Sequence, residues 1–216
     1  MKTISFTIEK IAKTFNRRKI FSDISFSLKE FSSLAITGRN GSGKSTLLKI
    51  LAGVLSPTRG EIVIKIDDQS IKPIDYFIHL GLVSPYLQLY DEFTGLENLD
   101  FFRKVRGVNS NDEYLSELLL RVNLWERRND YVRTYSSGMK QRLKYAFGLL
   151  HRPPILLLDE PTSNLDAEGI STVYQIMEDQ KKTGILIVAT NDAEDITMCE
   201  QVIDLNIQSQ KRSEKL

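Results

Sequence analysis

The chain has 216 residues, enough for one large domain or a domain with a subdomain, and 41% of them are hydrophobic, an ordinary share for a folded core. A net charge of +1, with Lys and Arg spread along the chain, predicts no polyanion-binding field, so nucleic acid is not expected as a partner. A single cysteine, Cys199, excludes an internal disulfide and a cysteine metal cluster; it is expected to pack as a small apolar residue. No apolar run approaches the roughly 18–20 residues that a membrane span needs, and the amino end lacks the basic-then-apolar block of a signal peptide. A soluble chain without direct membrane insertion is expected.

Taken in order, Ile4 to Ile8, Ile20 to Leu28 and Gly60 to Ile66 alternate apolar and polar residues as half-buried strands do. They suggest an antiparallel sheet beside a further apolar strand, Leu34 to Thr37. That strand leads into Gly38-Arg39-Asn40-Gly41-Ser42-Gly43-Lys44-Ser45-Thr46, and a helical run follows from Leu47. Strand, glycine-rich loop and helix together form a phosphate-binding loop. Its glycines let the backbone approach phosphates, and its N–H groups and the helix N-terminus form an anion nest. Lys44 is the expected contact for β- and γ-phosphates, and the Ser45 hydroxyl a ligand for Mg2+.

Ile78 to Val83 is expected as a short strand. From about Glu97 to Leu150 the pattern turns helical, with Ser110-Asn111-Asp112 as a start signal ahead of Leu115, Leu118, Leu119 and Val122. Ile155 to Leu158 and Ile185 to Ala189 are continuous apolar runs of strand length, suited to a parallel sheet covered on both faces. Helices are expected over about Ala167–Lys181 and Ala193–Glu200, and a polar, mildly basic tail over 208–216 is expected to fray.

Asp159 and Glu160 end the first of those apolar runs. A carboxylate at a strand tip suits Mg2+, and its neighbour suits polarising a water for in-line attack on a γ-phosphate. Tyr135-Ser136-Ser137-Gly138-Met139 opens a helix. Small residues there make either an anion-binding N-terminus or an ordinary cap by Ser136 or Ser137.

With these motifs in order, the chain resembles the nucleotide-binding domain of an ATP-binding-cassette (ABC) transporter from about Ile4 to Ile203. Gly38 to Ser45 matches the Walker A motif and Ile155 to Glu160 the Walker B motif. Tyr135 to Met139 resembles the family signature, and Ser163-Asn164-Leu165-Asp166 the D-loop. The resemblance implies an α/β fold: a P-loop NTPase core with an antiparallel β edge subdomain and a helical subdomain at about 86–150, in a single domain over 1–207. It implies ATP and Mg2+ as ligands, with Lys44, Ser45 and Asp159 holding MgATP and Glu160 aligning water. Two such domains pack head to tail in the family, so Ser136, Ser137, Gly138, Met139 and Asp166 are expected to act across a dimer of this chain or with a paralogue. Phe15 stands where the family has an adenine-stacking aromatic; a core Phe is the alternative. Transmembrane permease subunits would hold the chain at the cytoplasmic face of a membrane, with Tyr86, Leu87 and Tyr90 in the receiving groove. The residues alone also allow those apolar side chains to be core.

Several positions depart from the family, among them Ser137 for a Gly and Met139 for a Gln in the signature. Asn191 replaces a His that contacts the γ-phosphate, and Asn carries no charge. Pro85 replaces a Gln that touches Mg2+; Gln88, three residues on, is the candidate substitute. Phe31 stands where a turn Gly is common. ATP hydrolysis slowed by Asn191 and Pro85 is expected, with a nucleotide-gated assembly module as the alternative. Export is weakly favoured by the Ser-x-Gly-Met-Lys-Gln-Arg form of the signature.

Overall fold

The computed structural model describes residues 3–109 and 111–206. Its elements in chain order are β1 (Ile4–Phe15), β2 (Arg18–Lys29), β3 (Ser33–Thr37), α1 (Lys44–Leu51), β4 (Arg59–Ile66), β5 (Gln69–Ser70), α2 (Tyr76–His79), β6 (Leu80–Val83), α3 (Gly95–Val105), α4 (Asp112–Arg121), α5 (Ser137–Leu149), β7 (Ile155–Asp159), α6 (Ala167–Thr183), β8 (Ile185–Ala189), α7 (Ala193–Thr197) and β9 (Gln201–Asp204).

Two sheets result. One is antiparallel with strand order β2-β1-β4-β5, and the other runs β6-β7-β8-β3-β9. Every pairing in the second sheet is parallel. All five residues of β7, and all five of β8, are buried. Their side chains alternate between two cores, as a strand's geometry requires. Ile155, Leu157, Ile185 and Ile187 join Leu34 and Ile36 of β3 under α1 and the antiparallel sheet, where Phe6, Phe21, Leu28 and Ile64 complete that core. Leu156, Leu158, Leu186 and Val188 face the other way, onto Leu99 of α3, Leu118 of α4, Leu143 and Phe147 of α5 and Val173 of α6. This double coverage is why β7 and β8 read as unbroken apolar runs. Leu157 is fully buried in the middle of this arrangement. Leu157→Ala is expected to cost about 2–5 kcal/mol of stability, read by denaturant unfolding, because the sheet backbone cannot collapse into the void.

The α/β architecture expected from the sequence is present, with three local corrections. The expected strand over Ile78 to Val83 is helix α2 as far as His79, and β6 begins only at Leu80. Phe77 and Ile78 lie exposed on that helix. The expected helix over Ala193–Glu200 stops at Thr197, where the chain turns into β9, a strand the pattern did not signal. β9 is an edge strand with exposed Gln201 and Val202, so no buried alternation marks it. The start signal at Asn111 holds: its side chain caps α4 by accepting from the Tyr114 N–H. Ser110 and the tail 208–216 lie outside the described residues.

Phe31 has a φ of +66°, the left-handed region in which a glycine is easier to place. Cys199 is partly buried against the helical core, and that burial pushes its thiol up to about 12, too high for a reactive thiolate. His151 is also taken up structurally: its ring meets the Arg106 guanidinium and the Leu80 carbonyl, and burial with that cation lowers its pKa to about 4. Trp125 stacks under Arg128 at 4.0 Å.

Candidate functional site: a phosphate cradle at the ends of three parallel strands

The site forms where β3, β7 and β8 end side by side. Parallel strands with helices on both faces leave a crevice at their carboxyl ends, and ligands bind there. β3 runs straight into the glycine-rich loop. Gly43 caps α1 with a φ of +104°, and a Cβ there would stand 2.6 Å from the Ile20 side chain. Gly38 has a φ of +143°, and a Cβ there would stand 2.6 Å from the Ser42 hydroxyl. Both positions need glycine to keep the loop close-packed.

Lys44 is buried at 6% exposure, yet its ammonium is satisfied on two sides. It donates to the Gly38 carbonyl at 3.0 Å and pairs with Glu160 Oε1 at 3.3 Å. Ser45 Oγ donates to Asp159 Oδ1 at 3.0 Å. Thus the loop from β3 and the acidic tip of β7 are joined by two side-chain contacts. Burial pushes the Asp159 carboxyl above the usual carboxylate range, the Glu160 charge adds to this, and the Ser45 hydrogen bond opposes it. Glu160 itself holds a φ of +48°, uncommon for a residue with a side chain, and its N–H donates to the Ala189 carbonyl at 2.8 Å. The neighbouring strand therefore fixes where the Glu160 side chain leaves the backbone.

Asn191, just past β8, reaches the phosphate loop directly. Its Oδ1 accepts from the Gly38 N–H at 3.3 Å, and its Nδ2 donates to Asn40 Oδ1 at 3.1 Å. Both polar atoms of the amide are thus engaged with the loop. Arg39 shares this anchoring, its N–H donating to Asn206 Oδ1 at 3.3 Å.

The residues suit a magnesium nucleotide. The Ser42 hydroxyl is buried inside the loop with no partner. Ser45 and Asp159 offer adjacent oxygen donors, the chemistry Mg2+ prefers. Among the described residues no group of three or more His, Cys, Asp or Glu could hold a metal. Oxygens of a bound phosphate would have to complete the shell, as is common for Mg2+.

Other expected site residues lie on different elements. Ser136 caps α5, its Oγ accepting from the Met139 N–H at 3.2 Å. Ser137 is the first residue of that helix, and Gly138 follows beside the Asn164 carbonyl. Asp166 caps α6 through the Gly169 N–H at 2.9 Å. Phe15 is 43% exposed with Lys13 Nζ 4.7 Å above its ring, so it is not a core residue. Tyr86 and Tyr90 are exposed, while Leu87 is half-buried against the helical core. Gln88 is exposed, and the Pro85 carbonyl is instead taken by Lys144 Nζ at 2.8 Å.

Sequence reasoning passed over Thr162, Thr190, Asp195 and Tyr145. Tyr145 is fully buried and donates to the Pro161 carbonyl at 2.8 Å. Its position on the apolar face of α5 was the available signal; the link to the loop after Glu160 was not visible.

The family model described as ABC transporter matches residues 21–163. An uncharacterized ABC transporter ATP-binding protein of Bacillus subtilis, YybJ, is 32% identical over 208 residues, covering 95% of this chain and 94% of that protein. The arginine transport ATP-binding protein ArtM of the same organism is 36% identical over 188 residues, covering 84% of this chain and 78% of that protein. Among solved structures, a dimeric ATP-binding cassette in a post-hydrolysis state with ADP and Pi superposes with a TM-score of 0.79 at 26% identity, covering 92% of this chain and 93% of that one. Among the described residues no helix is long and apolar enough to cross a membrane. Phosphate loop, acidic strand tip and matched family agree: the chain belongs to the ABC transporter family, as an ATP-binding subunit.

Proposed function

We propose that this subunit hydrolyses ATP as a dimer and thereby drives transport through separate membrane subunits, with export weakly favoured. The observation that carries the reading is the contact set joining Lys44, Gly38, Ser45, Asp159 and Glu160 at one crevice. In this reading the glycine-rich loop and Lys44 hold the phosphates. Ser45 and Asp159 would hold Mg2+, which when bound screens phosphate charge. The Lys44 ammonium exchanges the Glu160 carboxylate for the γ-phosphate, a closer and more highly charged partner. Glu160 is then free to accept a proton from the attacking water. The water oxygen bonds to phosphorus as the β–γ bridging oxygen leaves with ADP.

Dimerisation completes the site in this reading. Ser136 and Gly138 at the N-terminus of α5, with Ser137, Met139 and Asp166 beside them, face the γ-phosphate held by a second copy or a paralogue. A helix of 13 residues that opens on Ser137 and Gly138 suits an anion at its N-terminus. Phe15 offers an exposed ring for adenine stacking. Exposed Tyr86 and Tyr90, with half-buried Leu87, offer an aromatic surface within the proposed helical subdomain of about 86–150 for a helix of a permease subunit. Such docking would hold the chain at the cytoplasmic face of a membrane. The relative ArtM, named for arginine transport, and LnrL, named for linearmycin resistance, point to different cargoes.

The test is phosphate release from MgATP across protein concentration. The expected rate rises faster than linearly with protein, as each site needs two copies. A strictly linear rate would exclude the dimeric site.

A second reading has one observation in its favour. Asn191 spends its amide on Gly38 and Asn40, and Pro85 offers no side-chain donor. A cassette so built could close on ATP with weak turnover and act as a nucleotide-gated assembly module. ATP-dependent dimers without phosphate release, even with the membrane partner present, would select it.

A further inference from the structure

Asp195 is a fully buried carboxyl that the phosphate site does not touch. It lies on α7, and its Oδ2 accepts two hydroxyl hydrogen bonds from two different segments. Thr162 Oγ1 donates at 3.1 Å and Thr190 Oγ1 at 2.8 Å. Thr162 follows Glu160 by two residues, and Thr190 immediately precedes Asn191. One oxygen atom therefore joins the segment that presents Glu160 to the segment that presents Asn191.

The surroundings make this joint rigid. Thr190 is fully buried, its N–H donates to the Ile36 carbonyl at 3.1 Å, and its hydroxyl also accepts from the Asp192 N–H at 3.0 Å. Asp192 in turn caps α7, accepting from the Glu194 N–H at 2.8 Å and the Asp195 N–H at 3.3 Å. On the far side, Tyr145 holds the Pro161 carbonyl at 2.8 Å. Burial pushes the carboxyl above the usual carboxylate range, opposed by hydrogen bonds from Thr190, Thr162 and the Tyr174 hydroxyl. A buried carboxyl kept at such a joint, rather than an apolar side chain, points to geometry as its use.

We propose that Asp195 is a positioning residue for ATP hydrolysis, which sets the spacing of Glu160 and Asn191 by clasping Thr162 and Thr190. The role rests on the hydrolytic reading above. Asp195 acts through the two threonines, not on the reacting atoms.

Because Asp195 bonds to Thr162 and Thr190 rather than to the glycine-rich loop, its loss should leave ATP affinity nearly intact and lower kcat. A misplacement of about 1 Å at a reacting group can cost on the order of a hundredfold. Asp195→Ala and the double variant Thr162→Val with Thr190→Val are each expected to lower kcat by about tenfold to a hundredfold, with ATP Kd changed less than about threefold. Asp195→Asn keeps an oxygen that accepts both hydroxyls and is expected to stay within about threefold of the parent kcat. Val173→Ala, a cavity in the core under α6, is the stability control: it lowers Tm but not the kcat of the folded fraction.

The assay pairs phosphate release with equilibrium ATP binding and thermal melting of the full chain. Three results would overturn the role: an unchanged kcat in Asp195→Ala, a loss of activity that tracks only the loss of folded protein, or Asp195→Asn as impaired as Asp195→Ala. A parent chain that binds ATP yet releases no phosphate even with its membrane partner removes the hydrolytic reading itself, and this role with it.

Discussion

Glu160→Gln is expected to lower phosphate release by about 10²–10⁴-fold while ATP stays bound. Gln matches the shape of the side chain and tolerates the same backbone, so the φ of +48° and the N–H bond to Ala189 are kept. What disappears is the capacity to accept a proton from water. The variant also loses the charge that pairs with Lys44 at 3.3 Å. With that competitor for the ammonium gone, the γ-phosphate meets Lys44 unopposed, so affinity should hold or rise. ATP-bound dimers should accumulate and be visible as a shift in size-exclusion elution. A variant retaining a third or more of the parent rate would mean that another group aligns the water, and Asn191 would be the first to examine.

Lys44→Ala is the second large expectation, and it acts on the opposite step. The ammonium is nearly out of solvent and is held by the Gly38 carbonyl as well as by Glu160. Truncation removes a buried cation from the crevice proposed to hold the phosphates. Loss of such a buried, hydrogen-bonded charge costs about 2–5 kcal/mol of binding. ATP affinity should therefore fall by about thirtyfold to several thousandfold, read by titration calorimetry. Lys44→Arg should not restore it, because a planar fork does not fit where a compact ammonium is packed beneath the loop. The two variants separate cleanly: one binds without turnover, the other fails to bind. If Lys44→Ala bound ATP as the parent does, the loop backbone alone would be the binding site.

Much of the core was legible because its physics is local. β7 and β8 are covered on both faces, so every residue must be apolar, and the runs stand out. The phosphate loop was equally plain, since tight backbone approach demands glycine at fixed spacing. Failures came where short-range pattern is silent. Tyr76 to His79 is apolar enough for a strand, yet four residues cannot declare their period, and the chain coils there. β9 lies at an edge, where polar residues are tolerated and no alternation is enforced. Asp195 drew no notice, because an acid in the first turn of a helix is common and favourable for the helix dipole. Its burial arises from Thr162, 33 residues away, and no spacing rule reaches that far. Lys144 on the Pro85 carbonyl, 59 residues distant, was hidden for the same reason.

The placement of β3 governs when this protein can become itself. The strand that carries the phosphate loop is made early, at residues 33–37, but its neighbours are β8 and β9, at 185–189 and 201–204. While the chain leaves the ribosome, β3 has no partner on either edge until β8 and β9 emerge. The antiparallel sheet, built from the first third of the sequence, can form at once. The nucleotide loop cannot be braced until the final strands emerge, because its neighbours Glu160 and Asn191 ride on late segments. Nascent chains that stall before β8 would carry a glycine-rich loop on an open strand, prone to pairing with other chains. Competence to hold ATP therefore arrives in a single step, once β8 and β9 have emerged.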